Sequence, residues 1–244
     1  MRMETFGELD CHVIDPRGGA PRLAVLLCHG FGACGDDLVP VAEALAASRP
    51  GIAEQVQFVL PEGPLALGDM GYGTARAWWM LDLQSVAARR AGDPGALRRH
   101  RAEMPDGLPA ARRLLRTALD ALLLRSGLEI GQVVLGGFSQ GAMLATDLAL
   151  RIDEQPAALW ALSGTLVAEP EWRRLAPLRA GLPVFQSHGT ADPILPYASA
   201  EALRDLLREA GLAVEFLSFP GEHTIPEAAI RTLSAQLGAL LART

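Results

Sequence analysis

A serine, an aspartate and a histidine follow one another through the second half of this 244-residue chain, at Ser139, Asp192 and His223. A serine hydroxyl is a weak nucleophile near neutral pH. It needs a base to take its proton, and the base needs a carboxylate to fix its tautomer. Ser139 stands in Gly137-Phe138-Ser139-Gln140-Gly141, with a glycine two positions to either side. That spacing suits a sharp turn in which nearby side chains would clash. The apolar run Val133–Leu135 leads in as a strand, and 142–150 leads out as a helix. Such a turn lifts the hydroxyl above a sheet edge and aims the first N–H groups of the helix at the reacting centre. A plain glycine-rich strand-to-helix turn has the same letters, so the assignment depends on partners.

The partners follow strands of their own. Asp192 comes just after the run Leu182–Ser187, and His223 just after Val214–Phe219. Both loops are expected at the sheet edge that carries Ser139, where ligands bind in open α/β sheets. The rivals fit less well. His188 precedes a Gly-Thr-Ala-Asp turn and reads as its brace. His12, His29 and His100 come before the serine. Asp147 and Asp153 lie on or just after its helix, and Glu222 is expected to point away from the neighbouring ring. The order Ser, Asp, His behind a G-x-S-x-G turn is that of the α/β-hydrolase nucleophile elbow. The matching oxyanion donors are the N–H of Gln140 and one from His29-Gly30-Phe31-Gly32, assigned to Phe31 with Gly32 as fallback.

The elements that must position these groups alternate along the chain. Leu9–Ile14 reads as an edge strand. Leu23–Cys28 and Val56–Pro61 are continuous apolar runs, expected as strands buried on both faces. Asp36 and Asp37 are N-cap candidates for a helix over Leu38–Ala47. Ala110–Leu124 is an amphipathic helix, Ala157–Leu162 a strand, and Trp172–Arg179 a short helix. Ala198–Ala210 is a helix with Gly211 behind it, and Pro226 opens a last helix to Leu241. This pattern predicts an α/β fold: a mostly parallel, doubly wound sheet with helices on both faces, in one domain over residues 1–244. A polar, arginine-rich stretch at about 85–107 breaks the pattern and is a candidate helical excursion, or partial lid.

Bulk properties exclude several classes. The net charge is −6, and all 22 basic residues are arginine without a basic stripe, which argues against nucleic-acid binding. The N-terminus has no apolar signal region, and no run reaches the roughly 18 residues of a membrane span. The expectation is therefore a cytoplasmic protein. Cys11, Cys28 and Cys34 have no metal-ligand spacing, so neither metal nor organic cofactor is implied.

The chain resembles the phospholipase/carboxylesterase family of α/β-hydrolases, which includes bacterial carboxylesterases and acyl-protein thioesterases. The resemblance rests on Leu27-Cys28-His29-Gly30-Phe31-Gly32 with Gly35-Asp36-Asp37, on Arg76-Ala77-Trp78-Trp79, and on the Gly137–Gly141 elbow with its Phe and Gln. Leu162-Ser163-Gly164, His188-Gly189-Thr190-Ala191-Asp192-Pro193 and His223-Thr224-Ile225 complete it. It implies the same triad, Ser139, Asp192 and His223, and the same donors, Phe31 and Gln140. It also implies an ester or thioester substrate. Two departures stand out: Glu222 where the family usually has Gly, and a longer segment between Leu81 and Gly107. Trp78, Trp79, Phe31 and Ile194 are candidate walls of an apolar acyl pocket, with core packing the competing role for each tryptophan. A lysophospholipase or peptidase on the same scaffold is the alternative activity, and a non-catalytic ligand-binding relative the third. No feature demands a homodimer, though an exposed apolar patch would permit one.

Overall fold

The computed structural model describes residues 1–81 and 94–243. The strands in chain order are Arg2–Phe6 (β1), Leu9–Ile14 (β2), Leu23–Cys28 (β3), Val56–Pro61 (β4), Leu65–Ala66 (β5), Arg76–Ala77 (β6), Val133–Phe138 (β7), Ala158–Leu162 (β8), Pro183–Gly189 (β9) and Ala213–Phe219 (β10). The helices are Val39–Ser48 (α1), Pro50–Gln55 (α2), Pro94–Ala102 (α3), Leu108–Ser126 (α4), Gln140–Arg151 (α5), Glu169–Leu175 (α6), Tyr197–Glu209 (α7) and Glu227–Leu241 (α8).

Eight strands form one sheet in the order β1-β2-β4-β3-β7-β8-β9-β10. β1, β2 and β4 pair antiparallel, and every pairing from β4 through β3 to β10 is parallel. β5 and β6 make a separate hairpin. The edge at the N-terminal side is β1 rather than β2. β1 has three polar residues in five and buries only Phe6, so it lacks the apolar run of an inner strand. β3 and β4 are buried along their whole length because helices cover both faces.

Side chains two apart share a face. Val25, Phe58, Trp160 and Phe185 pack against α1, α2 and α8 through Leu45, Ile52 and Leu233. Leu26, Val59, Leu135 and Leu159 pack on the other side against α4, α5, α6 and α7 through Leu115, Leu148, Trp172 and Leu203. Each fully buried leucine contributes about 2 kcal/mol by removal from water. The fold is thus a mostly parallel sheet flanked by helices, as the sequence predicts.

α5 carries a wholly buried acid, Asp147. Arg112 of α4 (2.6 Å) and Arg151 (3.0 Å) neutralise it, and the Trp172 indole N–H donates to it at 2.8 Å. Asp147 therefore ties three helices together. The excursion expected over 85–107 lies partly outside the described residues; its described part is α3 and the loop 103–107.

Candidate active site

The strand register brings five loops to one sheet edge. Cys28 lies opposite Gly137, Phe138 opposite Leu162, Leu162 opposite Ser187 and Phe219 opposite Gly189. The loops after β3, β7, β8, β9 and β10 therefore emerge together.

Ser139 sits at the tip of the β7–α5 turn with φ 55° and ψ −116°. A left-handed φ on a non-glycine residue costs on the order of 1–3 kcal/mol and persists only when its surroundings impose it. Here its N–H donates to Leu162 O at 2.8 Å. The flanking glycines have no room for a side chain. A Cβ on Gly137 would lie 2.3 Å from the Gly141 carbonyl carbon, and one on Gly141 would lie 2.1 Å from Cys28 O.

His223 Nδ1 is 2.6 Å from Asp192 Oδ2. The other oxygen, Oδ1, accepts the N–H groups of Ile194 (2.8 Å) and Leu195 (2.9 Å). The aspartate thus shapes its own turn and faces the histidine with its second oxygen. His188 braces the loop: its Nε2–H points between Leu195 O (2.9 Å) and Asp192 Oδ2 (3.3 Å). Burial pushes the Asp192 carboxyl up. The hydrogen bonds from His188, His223 and Leu195 outweigh that and hold it well below the usual carboxylate range. The two loops are also joined through backbone, by Thr190 N–H to Phe219 O (2.9 Å) and Ala191 N–H to Gly221 O (3.0 Å). Phe138 packs on the His223 ring at 4.7 Å between centroids. Ser163 Oγ donates to Thr224 O at 3.2 Å, which anchors the far side of the histidine loop.

The loop after β3 is held from beneath. Gly63 N–H donates to His29 Nε2 (2.8 Å), so Nδ1 carries the proton and donates to Gly30 O (2.7 Å). Burial pushes the His29 pKa down, which suits this neutral tautomer. Gly32 N–H is used by Arg76 O at 2.9 Å, which removes Gly32 as an oxyanion donor. The N–H groups of Phe31 and Gln140 have no hydrogen-bond partner among the described residues. The Gln140 side chain, buried, bridges to the neighbouring segment: it accepts from Trp78 N–H (2.9 Å) and donates to Trp79 O (2.8 Å).

Ser139, Phe31, Gln140 and His223 all line a cavity of about 630 Å³. Trp79 and Ile194 line it too. Trp78 does not: its side chain is buried in the core and its indole N–H donates to His29 O at 2.9 Å. Glu222 is exposed and lies off the cavity wall, so it does not place a carboxylate there. Cys34 is also off the wall, with Sγ 3.1 Å from Thr74 Oγ1. The wall includes Glu103, Met104, Pro105 and Asp106 before α4, which belong to the stretch singled out at about 85–107, and Met143 on α5, which sequence reasoning did not single out. Met143 carries a partial signal, since the elbow helix must present its first turn to the site. Among the described residues no cluster of three or more His, Cys, Asp or Glu is arranged to hold a metal ion, and no helix is long and apolar enough to cross a membrane.

The sheet and its neighbours among solved structures define an α/β-hydrolase fold. The crystal structure of esterase PE8 superposes with a TM-score of 0.79 at 28% identity, covering 95% of this chain and 99% of that one. A carboxylesterase from Mesorhizobium loti, 19% identical, shares the fold with a TM-score of 0.74 over 97% of this chain and 98% of its own. The sequence profile of the Phospholipase/Carboxylesterase family matches residues 9–241, and the chain belongs to that family. Acyl-protein thioesterase 1 of Mycosarcoma maydis is 30% identical over 232 residues, covering 92% of this chain and 94% of that protein. Acyl-protein thioesterase 1 of Neurospora crassa is 28% identical over 204 residues, 81% of this chain and 78% of that protein. The chain is accordingly an ester hydrolase.

Proposed function

We propose that the chain cleaves carboxylic ester or thioester bonds by two-step acyl transfer to water, with Ser139 as nucleophile, His223 as base and Asp192 as orienting acid. The observation that carries this reading is the 2.6 Å contact between His223 Nδ1 and Asp192 Oδ2, with His223 lining the same cavity as the strained Ser139.

In the first step His223 Nε2 takes the Ser139 proton as Oγ bonds to the carbonyl carbon. Negative charge moves to the carbonyl oxygen, where the N–H groups of Phe31 and Gln140 stabilise it. Asp192 stabilises the imidazolium and keeps its Nδ1 proton in place. Collapse breaks the bond to the alcohol or thiol, which leaves with the proton from His223. In the second step His223 deprotonates water, the hydroxide adds to the acyl-serine, and Ser139 departs with its proton restored. Each group used is a side chain or backbone N–H of the chain.

The apolar wall (Phe31, Trp79, Met104, Met143, Ile194 and Leu195) favours small or medium hydrophobic acyl groups. Thioester cleavage is supported by the names of the acyl-protein thioesterase relatives.

The test is kcat/KM over a chain-length series of p-nitrophenyl esters and matching acyl thioesters, for the wild type and Ser139→Ala. Loss of such a nucleophile lowers kcat on the order of 10⁶-fold. Wild-type turnover by Ser139→Ala would overturn the assignment.

A further inference from the structure

Among the described residues, the charged side chains that line the cavity holding Ser139 are all carboxylates. Asp37, Glu103 and Asp106 line it, and among the described residues no arginine does; the chain has no lysine at all. The carboxylates come from two separate loops, the one between β3 and α1 and the one between α3 and α4. All three are exposed to solvent, and none has an ion pair or side-chain hydrogen bond among the described residues. That is unlike much of this chain, where acids beside arginines pair with them: Glu62 with Arg76, Glu171 with Arg151, Glu169 with Arg173, Asp205 with Arg204. The cavity also presents aromatic side chains, Phe31, Trp79 and Phe138. Ring faces attract cations, quaternary ammonium groups in particular.

We infer that this cavity selects cationic over anionic substrates: esters or thioesters whose leaving group bears an amine or quaternary ammonium, with Asp37, Glu103 and Asp106 as specificity-determining residues. The inference rests on the proposed role of Ser139 and extends it to a substrate class. Like charges around a cleft with apolar walls focus the field, raise the local concentration of a cationic substrate and repel an anionic one. The Debye length is about 10 Å at 0.1 M salt, so the effect is strong in dilute buffer and is screened at high salt.

The experiment compares three thioesters with one acyl group: thiocholine as the cationic thiol, its uncharged dimethylbutanethiol isostere, and a sulfonate-bearing ethanethiol. kcat/KM is measured at roughly 20 mM and roughly 500 mM salt, for the wild type and for the triple variant Asp37→Asn, Glu103→Gln, Asp106→Asn. The quantity read is the cation-to-anion ratio, so a general loss of activity cancels. In the wild type at low salt the ratio exceeds that of the triple variant by on the order of tenfold or more, and it contracts at high salt. The salt arm needs no variant, which keeps the test intact if the triple variant folds poorly. A wild-type ratio that ignores salt, a triple variant with the wild-type ratio, or a preference for the sulfonate would overturn the inference while leaving the nucleophile in place. Failure to cleave any of the three, nor any p-nitrophenyl ester, would instead overturn the reading of Ser139 on which it rests.

Discussion

Gln140→Leu separates two roles carried by one residue. The backbone N–H of Gln140 is a proposed oxyanion donor, and leucine retains it. The side chain is 1% exposed and makes two hydrogen bonds, at 2.9 Å from Trp78 N–H and at 2.8 Å to Trp79 O. Leucine has similar bulk and helix propensity but leaves both backbone groups without a partner. Each orphaned group costs about 1–3 kcal/mol, so the pair costs about 2–6 kcal/mol. For a chain of this size 1 kcal/mol shifts Tm by about 2–4 °C, which predicts a fall of about 10 °C. Trp79 lines the cavity, so loosening its segment should raise KM across an acyl series more than it lowers kcat. Gln140→Glu keeps the acceptor but sets a carboxylate against Trp79 O, and should be at least as unstable. Calorimetry with steady-state kinetics reads both effects. A Gln140→Leu protein that melts within about 2 °C of the wild type would refute the claim that this clamp holds the cavity wall to the elbow.

Asp192→Asn should keep the fold but lower kcat on the order of 10⁴-fold, because the amide no longer enforces the Nδ1–H tautomer of His223; an effect under tenfold would remove Asp192 from the mechanism. Gly141→Ala places a methyl 2.1 Å from Cys28 O, a backbone atom that cannot swing aside, and should cost more than about 3 kcal/mol in denaturant titration. Ser163→Ala removes the bond to Thr224 O, and should cost about 1 kcal/mol with a drop in kcat from a less ordered His223. Acid should destabilise the fold in two stages. Burial holds His29 below its ordinary value of 6.5, so the unfolded chain binds a proton there that the folded chain refuses. Stability then falls as pH drops below about 6.5, by up to about 1.4 kcal/mol per unit. Asp192 is held below its ordinary 3.8. Its contribution is complete above that value and is lost as pH falls through it toward its folded-state pKa. Urea titrations from pH 7 down to about pH 2 follow the first stage and well into the second, and His29→Gln should flatten the first.

The residues proposed for the chemistry are easier to read from the sequence than the walls around them. β3 and β4 announce themselves because a strand covered on both faces is apolar throughout. Ser139 and Asp192 follow buried strands and His223 follows the partly exposed edge strand β10, and loop order along a parallel sheet brings all three to one edge. β1 is hidden because it is exposed on most of its length, and α2 because Pro50-Gly51 reads as a turn and only Ile52 is buried. Asp36 and Asp37 look like helix caps, yet α1 begins at Val39 without a side-chain cap. The Asp36 carbonyl takes the Val39 N–H at 2.9 Å, and Asp37 faces the cavity. Trp78 and Trp79 are both buried in one core cluster, and letters alone do not say that Trp79 also reaches the cavity wall. Glu103 to Asp106 reach the cavity through a loop, where no periodicity encodes a face. The role of Gln140 was half visible, since its position after the serine marks the N–H and gives no hint of the side-chain clamp.

The most direct test of the central claim is labelling of the folded protein by a fluorophosphonate, read by intact mass and peptide mapping. A single adduct on Ser139, absent in Ser139→Ala and formed far more slowly in His223→Ala, is the predicted result. Folded protein that stays unlabelled, or an adduct on another residue, would contradict it.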